Sequence, residues 1–125
     1  KAVVVGRSLV VGKPVAMMLL EKNATVTICH TRTEHMPSVV KEADIVIAAV
    51  GRAGLIDDRY VSPGQTVIDV GINVNQKGKL CGDVAYEKVH SVVEAITPVP
   101  GAVGIVTTSV LVSHVVEAAM RQYSI

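Results

Sequence analysis

The residues with chemistry to offer stand where apolar runs stop. "VVVGRSLVVGKP", Val3 to Pro14, runs from valines into Gly6, Arg7 and Ser8, then into Gly12, Lys13 and Pro14 ahead of an apolar helical pattern. Strand, glycine loop and helix is the layout of a phosphate-binding turn. A P-loop needs four residues between its glycines, then Lys, then a hydroxyl that ligates magnesium. Here five residues separate the glycines, and Pro14 follows Lys13. Proline cannot hold magnesium, so the nucleoside triphosphate reading falls. The dinucleotide turn G-x-G-x-x-G is not matched either, because Ser8 stands at the middle glycine. Its physical jobs can still be done. Gly6 permits the turn, Gly12 permits close approach at the helix entrance, and free helix N–H groups attract phosphate. Ser8 adds a hydroxyl and Arg7 a cation.

The next apolar run ends in "CHTRTEH", Cys29 to His35. An NAD site usually ends this strand in a carboxylate that binds the ribose 2′-hydroxyl. Thr31 and Arg32 offer a hydroxyl and a positive charge, with no carboxylate before Glu34. An anion such as the 2′-phosphate of NADP suits them, with Arg7 joining from the first loop. NADP is therefore favoured over NAD. Three further strand ends carry polar or glycine residues: Gly51 to Gly54, Gly71 to Asn73, and the loop Thr97 to Gly104. Two prolines in that last loop, Pro98 and Pro100, force an unusual path and make Val99–Pro100 a candidate cis bond.

These residues need a scaffold, and the pattern supplies one. Strands are expected at Ala2–Val5, Thr25–Cys29, Asp44–Val50, Gln65–Asn73 and Val92–Thr97. Helices are expected at Pro14–Lys22, Met36–Ala43, Asp83–Ser91 and Ile105–Tyr123, with Asn75–Lys79 as a hairpin tip. Pro14 lies in a first helical turn, where a missing N–H costs nothing. Asp83 is read as a helix cap. Alternating strands and helices give an α/β, doubly wound, mostly parallel sheet, which binds ligands at the carboxyl ends of its strands.

Composition narrows the function. The 125 residues fit one domain, and 50% are hydrophobic with only 2% aromatic and no Trp or Phe. Such a core of Val, Ile, Leu, Ala and Met suits a sheet buried on both faces. It lacks the stacking platforms of single-stranded nucleic-acid binders. A net charge of +1 gives no basic field for nucleic acid. The uninterrupted apolar runs are far shorter than a membrane span, so no membrane partner is expected. The chain opens on Lys1 directly into a strand, which suggests a domain of a longer polypeptide. Cys29 and Cys81 lack metal-ligand spacing and read as free thiols in a reducing, cytoplasmic setting. No metal site is expected.

"VVGRSLVVGKPVAMMLL", "ATVTICHTRT", "EADIVIAAVGRAG", "VIDVGIN", "GKLCGDV" and "AITPVPGAVG" follow one another in this order. Together they closely resemble the NADP-binding domain of bifunctional methylenetetrahydrofolate dehydrogenase/cyclohydrolase, over essentially the whole chain. The resemblance implies a single Rossmann-like NAD(P)-binding domain over 1–125. It implies oxidation of 5,10-methylene-tetrahydrofolate to the methenyl form with NADP, then hydrolysis to 10-formyl-tetrahydrofolate, in a homodimer. It also implies cofactor contacts at Gly6, Arg7, Ser8, Thr31 and Ile72. Pro98, Pro100 and Gly101 would line the cleft near nicotinamide and folate. Arg32 and Gly51, at the ends of their strands, complete the expected cofactor set. Ala102, Ile105 and Val106 stand where the family usually has Gly, Pro and Met. The family's catalytic lysine, its tyrosine partner and its folate contact lie in an N-terminal domain absent from this chain. The folate substrate is thus expected to be met through that missing domain. No catalytic residue is assigned here, and Lys13, Lys41, Lys77, Lys79 and Lys88 read as solvated surface cations. Two other readings fit the same fold. One is a non-catalytic nucleotide-sensing or dimerisation module; the other is the cofactor domain of another dehydrogenase, such as a shikimate dehydrogenase relative.

Overall fold

A computed structural model describes residues 1–124. A valine-rich run forms β1 (Ala2–Val5), and runs rich in β-branched residues form β2 (Val26–Cys29), β3 (Ile45–Ala48) and β4 (Thr66–Asp69). A two-residue strand, β7 (Ala95–Ile96), completes a five-stranded sheet of order β2-β1-β3-β4-β7, every pairing parallel. β5 (Asn73–Val74) and β6 (Leu80–Cys81) form a separate antiparallel hairpin. α1 (Gly12–Glu21), α2 (Met36–Lys41), α3 (Tyr86–Val89) and α4 (Val103–Tyr123) are the helices. Chain order reverses between β1 and β3, so the ligand crevice of such a sheet lies at their carboxyl ends.

Alternation along β1 sends Val4 to one face and Val3 and Val5 to the other. Val4 packs with Ala16 of α1 and Ile47 of β3. Val3 and Val5 join the larger core, which includes Val40, Val46, Ile56, Val67 and Val89. The continuous valines of β1 are thus explained by burial on both faces. α1 ends where Asn23 takes the left-handed conformation, φ 64°, a cap that asparagine tolerates.

One buried polar side chain ties the second layer to the sheet. Gln65, 2% exposed, donates from Nε2 to the carbonyls of Val40 and Ala43, and its Oε1 accepts the Ser62 N–H. Gln65→Leu keeps the volume and orphans these groups. It should lower unfolding free energy by about 2–3 kcal/mol, read as a shifted urea midpoint at unchanged slope.

Three expected elements differ. The strand expected over Gln65–Asn73 stops at Asp69, because the Asp69 carboxylate turns back to accept the Gly71 N–H at 2.9 Å. The helix expected from Asp83 is confined to Tyr86–Val89, and Asp83 caps nothing; its carboxylate is drawn instead to the loop after β3. α4 begins at Val103, and none of its 21 residues is buried among those described. By length and composition α4 alone would pass for a membrane span. The sequence hides this because Thr107 and Thr108 interrupt the apolar run. Their hydroxyls donate to the carbonyls of Val103 and Gly104 one turn back, which masks their polarity.

Candidate cofactor site

The β1–α1 loop is packed against its neighbours without room for side chains at two positions. Gly6 has φ +126°, and a Cβ there would stand 2.1 Å from the Ala49 carbonyl oxygen just beyond β3. A Cβ on Gly12 would stand 2.4 Å from the Gly6 carbonyl oxygen. The two glycines therefore let strand, loop and helix start touch backbone to backbone.

Ser8 has a structural job beside the one expected. Its Oγ accepts the N–H groups of Val11 and Gly12 at 3.1 and 3.3 Å, while its carbonyl accepts the Lys13 N–H at 3.0 Å. Pro14 has no N–H. The first turn of α1 thus has no free donor for a phosphate, contrary to the sequence expectation. With both Ser8 lone pairs engaged, its hydroxyl proton remains to be donated outward. The loop donors without a protein acceptor among the described residues are the N–H groups of Arg7, Ser8, Leu9 and Val10. Arg7 is exposed, and no carboxylate pairs with it among the described residues.

A cavity of about 210 Å³ opens beside this loop. Gly6, Arg7 and Ser8 line it with His30 and Thr31 from the end of β2, and with Ala49, Val50 and Arg52 from the end of β3. The Arg32 N–H donates to His30 Nδ1 at 3.2 Å, which places the ring proton on Nε2. Arg32 itself is exposed and lines no cavity. Gly51 lies between two lining residues in a tight turn, φ +68°, with its N–H on Asp83, and is not itself among the lining residues. Cys29 closes the floor of β2. Burial pushes its thiol above the usual value, which keeps it protonated and unreactive.

A larger cavity of about 560 Å³ lies beyond the ends of β4 and β7. It is lined by Val11 of the first loop, by Asp69, Gly71 and Ile72, and by Pro98, Pro100 and Gly101. Ile72 is 71% exposed, a large apolar side chain offered to whatever enters. The Val99–Pro100 bond is cis. Ala102 has a negative φ, −133°, so its backbone does not demand the left-handed region that favours glycine. Of the ten residues expected at the site, four gather at the smaller cavity and four at the larger. The loop Arg7–Val11 joins the two.

Sequence reasoning missed the two carboxylates beneath these loops. Asp83 is fully buried and accepts the N–H groups of Val50, Gly51 and Arg52 at 2.6, 2.9 and 2.9 Å, and Asn73 Nδ2 at 2.9 Å. Asp69 accepts the N–H groups of Gly71, Asp83 and Val84 at 2.9, 3.0 and 2.9 Å. The available signal was an aspartate beside each of two close-packed glycines, in "DVG" and "GD". A Cβ on Gly71 would meet the Asp83 carboxyl at 2.3 Å, and one on Gly82 would meet Asp69 Oδ2 at 1.9 Å.

Desolvation raises the Asp69 carboxyl above its ordinary 3.8, outweighing the backbone donors that favour its charge. Folded Asp69 therefore keeps a proton at pH values where the unfolded chain has released it. Its contribution to stability is fully present below pH 3.8 and is lost as pH rises through the raised folded value. The unfolding free energy of the native chain relative to Asp69→Asn should accordingly decline as pH rises through that window. Denaturant melts of both proteins on the acid side check the slope, and a rising difference contradicts it.

Among the described residues no group of His, Cys, Asp or Glu is arranged to hold a metal. What the site offers is the Arg7 cation, the Ser8 hydroxyl and free loop N–H groups at one end, and a mainly apolar cleft at the other.

Comparison with known proteins places this geometry. Residues 1–123 match the family described as tetrahydrofolate dehydrogenase/cyclohydrolase, NAD(P)-binding domain. The bifunctional protein FolD 1 of Desulfitobacterium hafniense is 63% identical over 121 residues, covering 97% of this chain and 43% of that protein. The crystal structure of the bifunctional enzyme FolD from Campylobacter jejuni superposes with a TM-score of 0.92 at 41% identity, over 97% of this chain and 43% of that one. The Trypanosoma brucei enzyme, solved with NADP cofactor and inhibitor, gives a TM-score of 0.88 at 36% identity, over 98% of this chain and 44% of that one. The chain thus spans less than half the length of these relatives.

Proposed function

Because this chain belongs to the tetrahydrofolate dehydrogenase/cyclohydrolase NAD(P)-binding domain family, we propose that it is the NADP-holding part of a bifunctional folate enzyme. The reaction in this reading is oxidation of 5,10-methylene-tetrahydrofolate to the methenyl form, followed by hydrolysis to 10-formyl-tetrahydrofolate. The observation that carries the reading is the pair of cavities joined at the strand carboxyl ends, with Arg7 and Thr31 at one end and Ile72 and Pro98–Gly101 at the other.

The residues fit the cofactor. The smaller cavity suits the adenosine end, where Arg7 and Thr31 can take the 2′-phosphate and no carboxylate would repel it. The free N–H groups of Arg7 and Ser8 suit the pyrophosphate, and Gly6 admits the backbone's approach. The apolar cleft suits the nicotinamide, holding its ring and shedding water from it. The bound nicotinamide supplies the hydride acceptor. The chain's own part is to bind, orient and exclude water, which lowers the barrier mainly by positioning.

In this reading the acid–base groups belong to polypeptide that the relatives carry beyond the matched span. The same polypeptide covers α4. Ile105, Val106, Leu111, Val112 and Val115 are 57–62% exposed on it, more apolar surface than a finished surface helix shows. The polypeptide that carries this span, given 5,10-methylene-tetrahydrofolate, should reduce NADP and release 10-formyl-tetrahydrofolate. Absence of NADP reduction contradicts the reading.

A further inference from the structure

The two cavities flank the loop Arg7–Val11, and one buried side chain holds a wall of each. Asp83 lies on the strap between β6 and α3. That strap is zipped to the segment after β3: Gly54 N–H to the Gly82 carbonyl, Ile56 N–H to the Asp83 carbonyl, and Ala85 N–H to the Ile56 carbonyl. From this anchored position the carboxylate reaches upward. Its oxygens receive three successive backbone N–H groups, from Val50, Gly51 and Arg52. Consecutive N–H groups converging on one anion form a nest, here filled from inside the protein rather than by a ligand. Val50 and Arg52 line the smaller cavity. The remaining bond runs from Asn73 Nδ2, on the residue after Ile72, whose side chain lines the larger cavity. Asp69 in turn fixes the Asp83 and Val84 N–H groups, so the carboxylate is itself held.

We propose that Asp83 is a positioning residue for the dinucleotide: it sets the turn after β3 against the adenosine end and Ile72 against the nicotinamide end, and so fixes the spacing of the two half-sites. The inference rests on the NADP reading above. The geometry specifies what each neighbour contributes. The three-donor nest is the link to the adenosine end, and the Asn73 bond is the link to the nicotinamide end. Cutting one should affect one half of the cofactor, and removing the carboxylate should affect both. A residue that merely stabilised the fold would change the melting temperature and leave the affinity of the folded fraction alone.

The test titrates this chain with NADP and with 2′,5′-ADP, which carries only the adenosine end, well below the melting temperature of each variant. In Asp83→Asn an amide group faces backbone donors it cannot accept. It should weaken both probes, NADP by about tenfold or more. Asn73→Ala keeps the nest intact. It should weaken NADP by about threefold and leave 2′,5′-ADP within error. Asp83→Asn that folds and binds NADP within about twofold of the native chain overturns the proposal. So does Asn73→Ala that weakens both probes equally. If Asp83→Asn fails to fold, the Asn73→Ala pattern decides alone. If the native chain binds neither probe, the NADP reading itself has failed and the inference falls with it, an outcome visible before any variant is made.

Discussion

Gly6→Ala is expected to destabilise the chain by about 4 kcal/mol or more, enough to leave most of it unfolded at room temperature. The reason is geometric. At φ +126° an L side chain is strained, and the new Cβ would lie 2.1 Å from the oxygen and 2.7 Å from the carbon of the Ala49 carbonyl. Those atoms are backbone and cannot rotate away. Ala49 is itself held, because its N–H donates to the Val5 carbonyl at 2.8 Å. Relief therefore requires β1 and β3 to part at their carboxyl ends, where the ligand crevice lies. Gly51→Ala is the matched control. Its φ of +68° is also positive, but a Cβ there meets nothing within 4 Å. It should cost only about 1 kcal/mol. Thermal melts of the two variants check the contrast, and equal losses would mean that the collision with Ala49 is not what restricts Gly6.

Arg7→Ala should weaken NADP by about 10- to 100-fold while changing NAD little. A charge-assisted contact with a phosphate is worth about 1.5–3 kcal/mol, and 1.4 kcal/mol is a factor of ten in affinity. The guanidinium is exposed and free of any described carboxylate partner, so it is available without breaking another bond. Stability should be unaffected, since Arg7 packs in neither hydrophobic core. Equal losses for NADP and NAD would reassign Arg7 to the pyrophosphate that both share. Raising salt should weaken NADP more steeply than NAD for the same reason.

What was legible in the sequence was whatever is encoded locally. The runs of β-branched and apolar residues marked β1 to β4, most plainly β1, whose continuous valines are buried on both faces. Gly6 and Gly12 marked the close approach, and Asn23 marked the end of α1. The ends of β1 and β2 pointed to Arg7, Ser8 and Thr31, which do meet at one cavity. What was not legible depends on distant partners. Asp83 looked like a cap because it precedes a helix, yet the backbone N–H groups that donate to it lie more than thirty residues away in the chain. Nothing within its own segment encodes that. Ser8 was read as a donor to the cofactor, and the sequence did not reveal that its oxygen also accepts from Val11 and Gly12. Arg32 and Gly51 stand at the expected strand ends, yet neither is among the residues lining the two cavities. Membership of a loop was readable from sequence; the direction of a side chain within the loop was not.

The central claim is that the loops after β1 and β2 are built for a ribose 2′-phosphate, and one titration reaches it most directly. NADP and NAD are titrated calorimetrically into this chain at one low ionic strength. The account predicts that NADP binds tighter by about tenfold or more, the preference resting on Arg7 and Thr31. Equal affinities, or tighter binding of NAD, would contradict it.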